Sequence, residues 1–179
     1  MNKLKSICIF CGSREGVKPE YMALASQFGE LLAKQNIRLV YGGGGIGLMG
    51  AAARACADAG GDVLGIIPEF LCTKEIAFDR CTLEVVDTLH KRKARMAETS
   101  QGFVVLPGGL GTLEEVVEVL SWVNLQELQQ KVVLLDEDGY WDPFFDLIKH
   151  TIDQGFTDKI VLKQALRANT CEQAIQMLA

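Results

Sequence analysis

Two adjacent carboxylates, Glu114 and Glu115, follow a glycine-rich segment with the sequence PGGLGT at residues 107–112. The apolar residues 102–106 before it are typical of a buried strand in a parallel sheet, and the residues after it show helical spacing. Glycines between a strand and a helix let backbone N–H groups converge on a ligand, and the helix start adds partial positive charge. The segment therefore predicts a phosphate cradle with an acid beside it.

The same segment has a purely structural interpretation, because Thr112 and Glu115 also have the spacing of a capping box with Thr112 as the N-cap. In helical projection Glu115, Val119 and Trp122 lie together, turned away from the predicted sheet-facing residues, which are Leu113, Val116, Val117 and Leu120. A valine and a tryptophan should not face water beside a structural carboxylate. We therefore expect another chain to cover this face, with Glu115 at the edge of a covered pocket.

A basic helix is predicted at residues 89–96. Its charged and apolar residues are not separated onto opposite faces, as they would be on a surface helix. One sector about 100° wide contains two cations together with apolar residues, namely Leu89, Arg92, Lys93 and Met96. Because a partly buried arginine needs an anion, Arg92 and Lys93 are expected to meet an anionic ligand. Lys91 and Arg95 are expected to be solvated.

Two further glycine-containing segments follow predicted strands, CGSR at residues 11–14 and YGGGGIGLMG at residues 41–50. The second resembles a dinucleotide-binding fingerprint, but its third glycine is displaced and no Walker lysine follows. For Gly47 and Gly50, close packing between helix and sheet is the alternative.

Predicted strands alternate with predicted helices along the whole chain. The strands are 6–10, 37–41, 62–67, 83–86, 103–106 and 132–135, and the helices are 19–35, 47–59, 89–100, 112–125, 143–154 and 171–178. This alternation predicts a single α/β domain over residues 1–179, a Rossmann-like doubly wound parallel sheet with helices on both faces. Because such sheets bind ligands at the carboxyl ends of strands near the switch point, the three glycine-containing ends are expected to share one site.

Composition excludes several classes of function. The net charge of −5 argues against a nucleic-acid partner, and no apolar run approaches the roughly 20 residues of a membrane helix. The polar start is unlike a signal peptide, so a soluble, cytoplasmic protein is expected. Six cysteines without paired metal spacing predict reduced thiols and no metal site.

Taken together, these motifs resemble those of the LOG (Lonely Guy) family, the cytokinin riboside 5′-monophosphate phosphoribohydrolases formerly labelled lysine decarboxylase-like. The family pattern P-G-G-x-G-T-x-x-E is complete at residues 107–115, and Y-G-G-G-x-x-G-L-M-G is present at residues 41–50. Its M-H-x-R-K and C-G-S-S appear at residues 89–93 and 11–14, with Leu89 in place of methionine and Arg14 in place of the second serine. The resemblance weakens only after about Thr157.

The resemblance implies hydrolysis of the N-glycosidic bond of N6-modified adenosine 5′-monophosphates to free base and ribose 5-phosphate. Glu115 would stabilise an oxocarbenium-like sugar while acting on water or attacking directly, with Arg92 as its essential partner. The residues alone also allow Arg92 to bind phosphate or sugar hydroxyls. Expected substrate contacts are Ser13, Gly43, Glu75, Lys93, Met96, Gly108, Gly109, Gly111, Thr112, Glu114 and Ser121. The resemblance implies no cofactor. It does imply a homodimer with sites near its interface.

Three other functions stay open at this point. The enzyme could hydrolyse ordinary AMP or another nucleotide, since discrimination depends on the pocket around the base. A nucleotide or pterin carrier of related fold could use the same cradle only to bind. The former label suggests a pyridoxal-phosphate lysine decarboxylase, but the chain is short for one and has no obvious lysine set in a cofactor pocket.

Overall fold

The computed structural model describes residues 4–73 and 75–179, and within these ranges seven parallel strands form one sheet. The strands are β1 (Ser6–Phe10), β2 (Arg38–Tyr41), β3 (Val63–Pro68), β4 (Thr82–Val86), β5 (Phe103–Val105), β6 (Val132–Leu135) and β7 (Ala165–Ala168). Their order across the sheet is β4-β3-β2-β1-β5-β6-β7. The predicted doubly wound α/β sheet is confirmed.

Helices cover both faces of this sheet. One layer contains α1 (Pro19–Lys34), α2 (Gly47–Asp58) and α7 (Cys171–Leu178), and the other contains α3 (Leu89–Glu98), α4 (Leu110–Asn124), α5 (Asp142–Asp153) and α6 (Val161–Gln164). The alternation of side chains along a strand separates the two cores: Ile7 and Ile9 of β1 pack in the first layer, and Cys8 and Phe10 in the second. Burial on both faces explains why the central strands are continuously apolar.

Predicted and observed boundaries of the shared elements agree within two residues. The prediction missed β7 and the short helix α6. The sequence of β7, ALRA, has no β-branched or aromatic residue, so its strand conformation comes from pairing with β6 rather than from local preference.

The topological switch point lies between β1 and β5. The chain moves outward from β1 to β4 and then returns to place β5 on the other side of β1. The loops that leave these two strands diverge to opposite faces, which opens a crevice at their carboxyl ends. The Gly12 N–H donates to the Pro107 carbonyl oxygen at 3.0 Å, which ties the two loops together at the base of this crevice.

Helix α4 corrects two predictions. It begins at Leu110 with Gly109 as its N-cap, so Thr112 lies inside the first turn and the capping-box interpretation is wrong. The apolar stripe that faces the core consists of Val116, Val119, Leu120 and Val123. Val119 is therefore covered by its own chain, and Val117, predicted to face the sheet, is 48% exposed.

Trp122 is partly buried and packs against the same core, so the predicted cover by another chain is not needed on this face. All six cysteines are free thiols, and four of them are buried. Among the described residues, none of the helices combines the length and the apolar character required to cross a membrane.

Candidate functional site

A cleft of about 640 Å³ opens at the carboxyl ends of β1 and β5. Its walls are the loop after β1, the segment from Pro107 into α4, the start of α2, Glu75, Arg92 and Tyr140. This is the switch-point position predicted from the glycine-containing strand ends.

The first turn of α4 forms one wall of the cleft. The N–H groups of Leu110, Gly111 and Thr112 have no partner within the helix, because a helix start leaves these donors unpaired. A Cβ atom at Gly109 or at Gly111 would meet nothing within 4 Å, so the backbone here is open to a ligand. Donors of this kind, together with the helix dipole, bind anionic oxygens.

Gly108 serves a different purpose in the same segment. A Cβ atom there would lie 2.2 Å from Oγ1 of Thr112 and 2.9 Å from the backbone nitrogen of Gly12. This glycine therefore permits the close packing of the two strand-end loops, while the next ones face open space.

Glu115 lines the cleft one turn beyond Gly111, about 6 Å further along the helix axis. Burial raises the pKa of this carboxyl from 4.5 to about 7, although the positive charge of Arg92 acts in the opposite direction. The negative charges of Glu114 and Glu75 add to the increase. A carboxyl with a pKa near neutrality can exchange protons at physiological pH, as a general acid or base must.

Arg92 is 7% exposed and is held by protein oxygens on one side. Its Nε donates to the Ile66 carbonyl at 3.1 Å, and its Nη2 donates to the Gly42 carbonyl at 2.8 Å and to Oε2 of Glu75 at 3.4 Å. Within the described residues Nη1 has no hydrogen-bond partner, and the side chain lines the cleft. The guanidinium is thus fixed in place with two N–H donors left for a ligand.

The glycine run after β2 positions this arginine. A Cβ atom at Gly42 would lie 1.9 Å from Arg92 Nη2, so only glycine admits the guanidinium. The Gly45 N–H donates to the carbonyls of Glu75 and Ile76 at 2.9 and 2.8 Å, which docks the 75–78 loop against the run. The run therefore packs against protein groups, and a Cβ atom at Gly43 would lie 2.9 Å from Cβ of Ile67 and 3.2 Å from Cδ1 of Leu83.

Docking of this loop brings Glu75 to the cleft. Its side chain is 18% exposed, and burial raises the pKa of its carboxyl, while Arg92 lowers it. Arg92 thus lies among carboxylates whose ordinary acidity is reduced by their surroundings.

The structure brings eight of the predicted site residues to one cleft and leaves five elsewhere. Those that line it are Ser13, Glu75, Arg92, Gly108, Gly109, Gly111, Thr112 and Glu115. Gly43, Lys93, Met96, Glu114 and Ser121 are not among the described lining residues. Their predicted contacts with substrate have no support in this arrangement.

The reasons for their positions differ. Met96 is 1% exposed within the core, and the hydroxyl of Ser121 donates to the Val117 carbonyl at 2.7 Å on an exposed part of α4. Lys93 forms ion pairs with Glu114 and Glu118 between α3 and α4. Lys91 is exposed as predicted and pairs with Asp87.

Sequence reasoning missed two aromatic residues of the cleft, Tyr21 and Tyr140. Their rings meet edge to face with centroids 5.6 Å apart, and the Tyr140 hydroxyl donates to the Gly108 carbonyl at 2.7 Å. Tyr140 follows β6, a neighbour of β5 at the switch point, and that position was the only signal that could have indicated it. Within the described ranges no three potential metal ligands among histidine, cysteine, aspartate and glutamate come together.

Comparison with known proteins shows which family this chain belongs to. The profile of the family described as "Possible lysine decarboxylase" matches residues 49–178. The cytokinin riboside 5′-monophosphate phosphoribohydrolase LOG7 of Arabidopsis thaliana is 39% identical over 178 residues, 99% of this chain and 82% of the relative. The chain belongs to the LOG family. A further LOG protein, from Oryza sativa subsp. japonica, is 38% identical over 99% of this chain and 74% of its own length. LOG relatives named phosphoribohydrolases thus match nearly the whole chain, and the protein is an enzyme of that class.

Solved structures give an independent view of the LOG fold. A molybdenum cofactor binding protein from Rippkaea orientalis superposes with a TM-score of 0.72 at 23% identity, over 99% of this chain and 96% of that one. A molybdenum cofactor carrier protein from Chlamydomonas reinhardtii gives a TM-score of 0.72 at 22% identity, over 98% of both chains. At these identities the likeness establishes the fold alone.

Proposed function

We propose that this protein hydrolyses the N-glycosidic bond of cytokinin riboside 5′-monophosphates, releasing an N6-modified adenine and ribose 5-phosphate. One observation carries the proposal: Glu115, Arg92 and the open first turn of α4 line the same cleft. The names of the LOG relatives support the substrate class.

The spacing along α4 fits a nucleoside monophosphate. A 5′-phosphate accepting hydrogen bonds from the N–H groups of Leu110, Gly111 and Thr112 would place the ribose further along the helix. Glu115 lies about 6 Å beyond Gly111, a separation comparable to that between the 5′-phosphate of a ribose and its anomeric carbon. The carboxylate would then face the carbon at which the bond to the base is broken.

The chemistry follows from this placement. As the bond between C1′ and N9 breaks, positive charge develops on the sugar, and the ionised carboxylate of Glu115 stabilises it. The electron pair of that bond leaves with the base, which takes up a proton from solvent. A water oxygen then bonds to C1′, its proton passes to Glu115, and Glu115 releases that proton to solvent before the next turnover. Arg92 keeps a larger share of Glu115 ionised by lowering its pKa, and its free Nη1 can hold a sugar hydroxyl or phosphate oxygen.

Glu75 is the second carboxyl in position to touch the ligand. Its raised pKa means that a protonated form is accessible nearer to neutrality than for an ordinary glutamate. We propose that it contacts the sugar or the base on the side of Arg92 that faces the 75–78 loop.

We also propose that the protein is a homodimer in solution. Leu89 of α3, Val117 of α4 and Leu125 at the C-cap of α4 are 46%, 48% and 67% exposed, which leaves apolar surface on one helical layer. Multi-angle light scattering on the purified protein measures this directly, and a Val117→Glu variant should shift the mass from that of two chains towards one. The expected cytoplasmic location stays a prediction.

The test of function is to incubate the purified protein with N6-isopentenyl-AMP, AMP and the matching nucleosides, and to follow release of free base by chromatography. Base released preferentially from the modified monophosphate supports the proposal. Equal or greater release from AMP would identify a general nucleotide phosphoribohydrolase, and binding without release would favour a nucleotide or pterin carrier. The nucleosides are the control for the phosphate cradle, because they lack the group that it binds.

The lysine decarboxylase description has less support from the cleft. Pyridoxal phosphate is held through a lysine Schiff base, and the described lining residues include no lysine.

A further inference from the structure

Lys93 is the most deeply buried lysine side chain among the described ion pairs, at 8% exposed, and its ammonium lies between two helices. Its Nζ donates to Oε1 of Glu114 and lies 2.7 Å from Oε2 of Glu118. Burial, the largest single influence, lowers the pKa of Lys93, but hydrogen bonds to the two glutamates outweigh it and raise the pKa overall. The lysine is therefore charged at neutral pH and joins α3 to α4 by ion pairs.

Both helices carry a cleft residue next to a residue of this ion cluster. On α3, Arg92 faces the cleft and its neighbour Lys93 faces α4. On α4, Glu115 faces the cleft, while its neighbour Glu114, with Glu118 one turn on, faces α3. The ion cluster thus lies one residue away from each member of the pair proposed to react.

We propose that Lys93 is a positioning residue: its ion pairs with Glu114 and Glu118 hold α3 against α4 so that Arg92 and Glu115 face one substrate. The role in turnover rests on the proposed function, whereas the positioning of Glu115 does not. The ammonium of Lys93 meets these two glutamates, and the direct phosphate contact expected for it from the sequence stays a prediction. Small displacements of reacting groups reduce rates strongly, so the tether should affect kcat more than KM.

The charges around Glu115 set the direction of a second effect. Groups that act on it come from α3 (Arg92 and Lys93), from α4 itself (Glu114) and from the 75–78 loop (Glu75). The neutral thiols of Cys8 on β1 and of Cys11 just after β1 lie close enough to Glu115 for its charge to raise their pKa in turn. Lys93 lowers the pKa of Glu115, whereas Glu114 raises it. Loss of Lys93 therefore removes a charge that favours the ionised form of Glu115 and leaves one that disfavours it.

The experiment compares a double variant with a matched control. Lys93→Met alone leaves the enclosed carboxylate of Glu118 without its cation and could unfold the protein for that reason alone. Lys93→Met/Glu118→Leu replaces the buried pair by apolar side chains, a change that often leaves stability intact. Lys91→Met is the control, because it makes the same substitution on the other side of Arg92 at an exposed lysine that pairs with Asp87.

Four readouts separate positioning from structure. We expect the double variant to melt near the wild-type temperature, to lose about tenfold or more in kcat, and to keep KM within about threefold. Carboxyl ¹³C NMR should report a higher pKa for Glu115 in the double variant and an unchanged one in Lys91→Met. A stable double variant with wild-type kcat and an unshifted Glu115 would overturn the proposal.

The design also separates this proposal from the proposed function. If the wild-type protein releases no base from any nucleotide, the function is wrong, but the Glu115 titration still decides whether Lys93 controls that carboxyl. If base is released, and both kcat and the Glu115 titration of the double variant match those of the wild type, the function stands and the positioning role is lost.

Discussion

The glycine segments after β2 and after β5 look alike in the sequence but meet different surroundings. After β2, a Cβ atom at Gly42 would lie 1.9 Å from the Arg92 guanidinium, and one at Gly45 would lie 2.4 Å from the Ile76 carbonyl. After β5, a Cβ atom at Gly109 or Gly111 would meet open space. The first segment admits protein groups, and the second leaves room for a ligand.

This difference assigns distinct tasks to the two segments. The run after β2 brings the Arg92 cation to the cleft and, through the 75–78 loop, the Glu75 carboxylate. The segment after β5 presents backbone donors of its own. Glycine density alone does not identify a phosphate site, because close packing and ligand access both require the missing side chain.

The largest effect is expected from Gly42→Ala. Because the added methyl group would occupy the position of Arg92 Nη2, the guanidinium must move, and turnover should fall by about a thousandfold, as for loss of a transition-state donor. Overpacking should also lower the free energy of unfolding by about 1–3 kcal/mol. Steady-state kinetics and thermal unfolding measure the two effects.

Arg92→Ala is the comparison for this variant, since it removes the guanidinium without crowding the loop. We expect it to fold normally and to lose turnover at least about a hundredfold. An active Gly42→Ala enzyme would show that the run after β2 does not hold Arg92 in its working position.

Much of this arrangement can be predicted from the sequence, and some of it cannot. Most strand ends and helix starts, and the burial of Arg92 and Lys93, follow from local patterns, because apolar periodicity reports which face is inside. The partner of Lys93 does not, since it lies 21 residues away on another helix. A buried cation signals a need for an anion but does not say whether protein or ligand supplies it.

The phase of α4 was also beyond local reasoning. Two apolar stripes compete along this helix, one through Val117 and one through Val119, and both have helical spacing. The actual start at Leu110 and the packing on the sheet select the second. Tyr21 and Tyr140 come together from α1 and the loop after β6 through tertiary structure alone.

A smaller effect, on turnover and on pH dependence, is expected from Glu115→Gln. The ionised form of Glu115 does the proposed chemistry, so wild-type kcat/KM should rise with pH through the pKa of about 7 and then level off. The amide cannot ionise, so turnover should fall at least about a hundredfold. Near-normal activity in Glu115→Gln would show that Glu115 has no catalytic role.

The same substitution should stabilise the fold at alkaline pH. Because the folded-state pKa of about 7 is above the ordinary value of 4.5, the folded protein binds more protons between these values, and stability is lost as pH rises through 7. Glu115→Gln should thus increase the free energy of unfolding by about 1–3 kcal/mol at pH 8 and by little near pH 4. Urea unfolding at both pH values checks the sign.

Gly111→Ala should have a moderate effect confined to binding. The methyl group enters open space, and alanine favours a helix more than glycine does, so the fold should be as stable as the wild type or slightly more so. Because the methyl occupies room meant for the phosphate, KM should rise about tenfold with little change in kcat. An unchanged KM would indicate that the phosphate does not bind at the first turn of α4.

Ser121→Ala should have the smallest effect, because Ser121 lies outside the cleft. The hydroxyl donates to the Val117 carbonyl within α4, on a part of the helix that does not line the cleft of its own chain. Loss of such a bond on an exposed helix face should leave kcat, KM and melting temperature close to those of the wild type. If turnover fell without a change in melting temperature, Ser121 would have to reach a cleft that is not its own. That result would mean that a second copy of the chain contributes this face of α4 to the site, and light scattering on the same sample would test it.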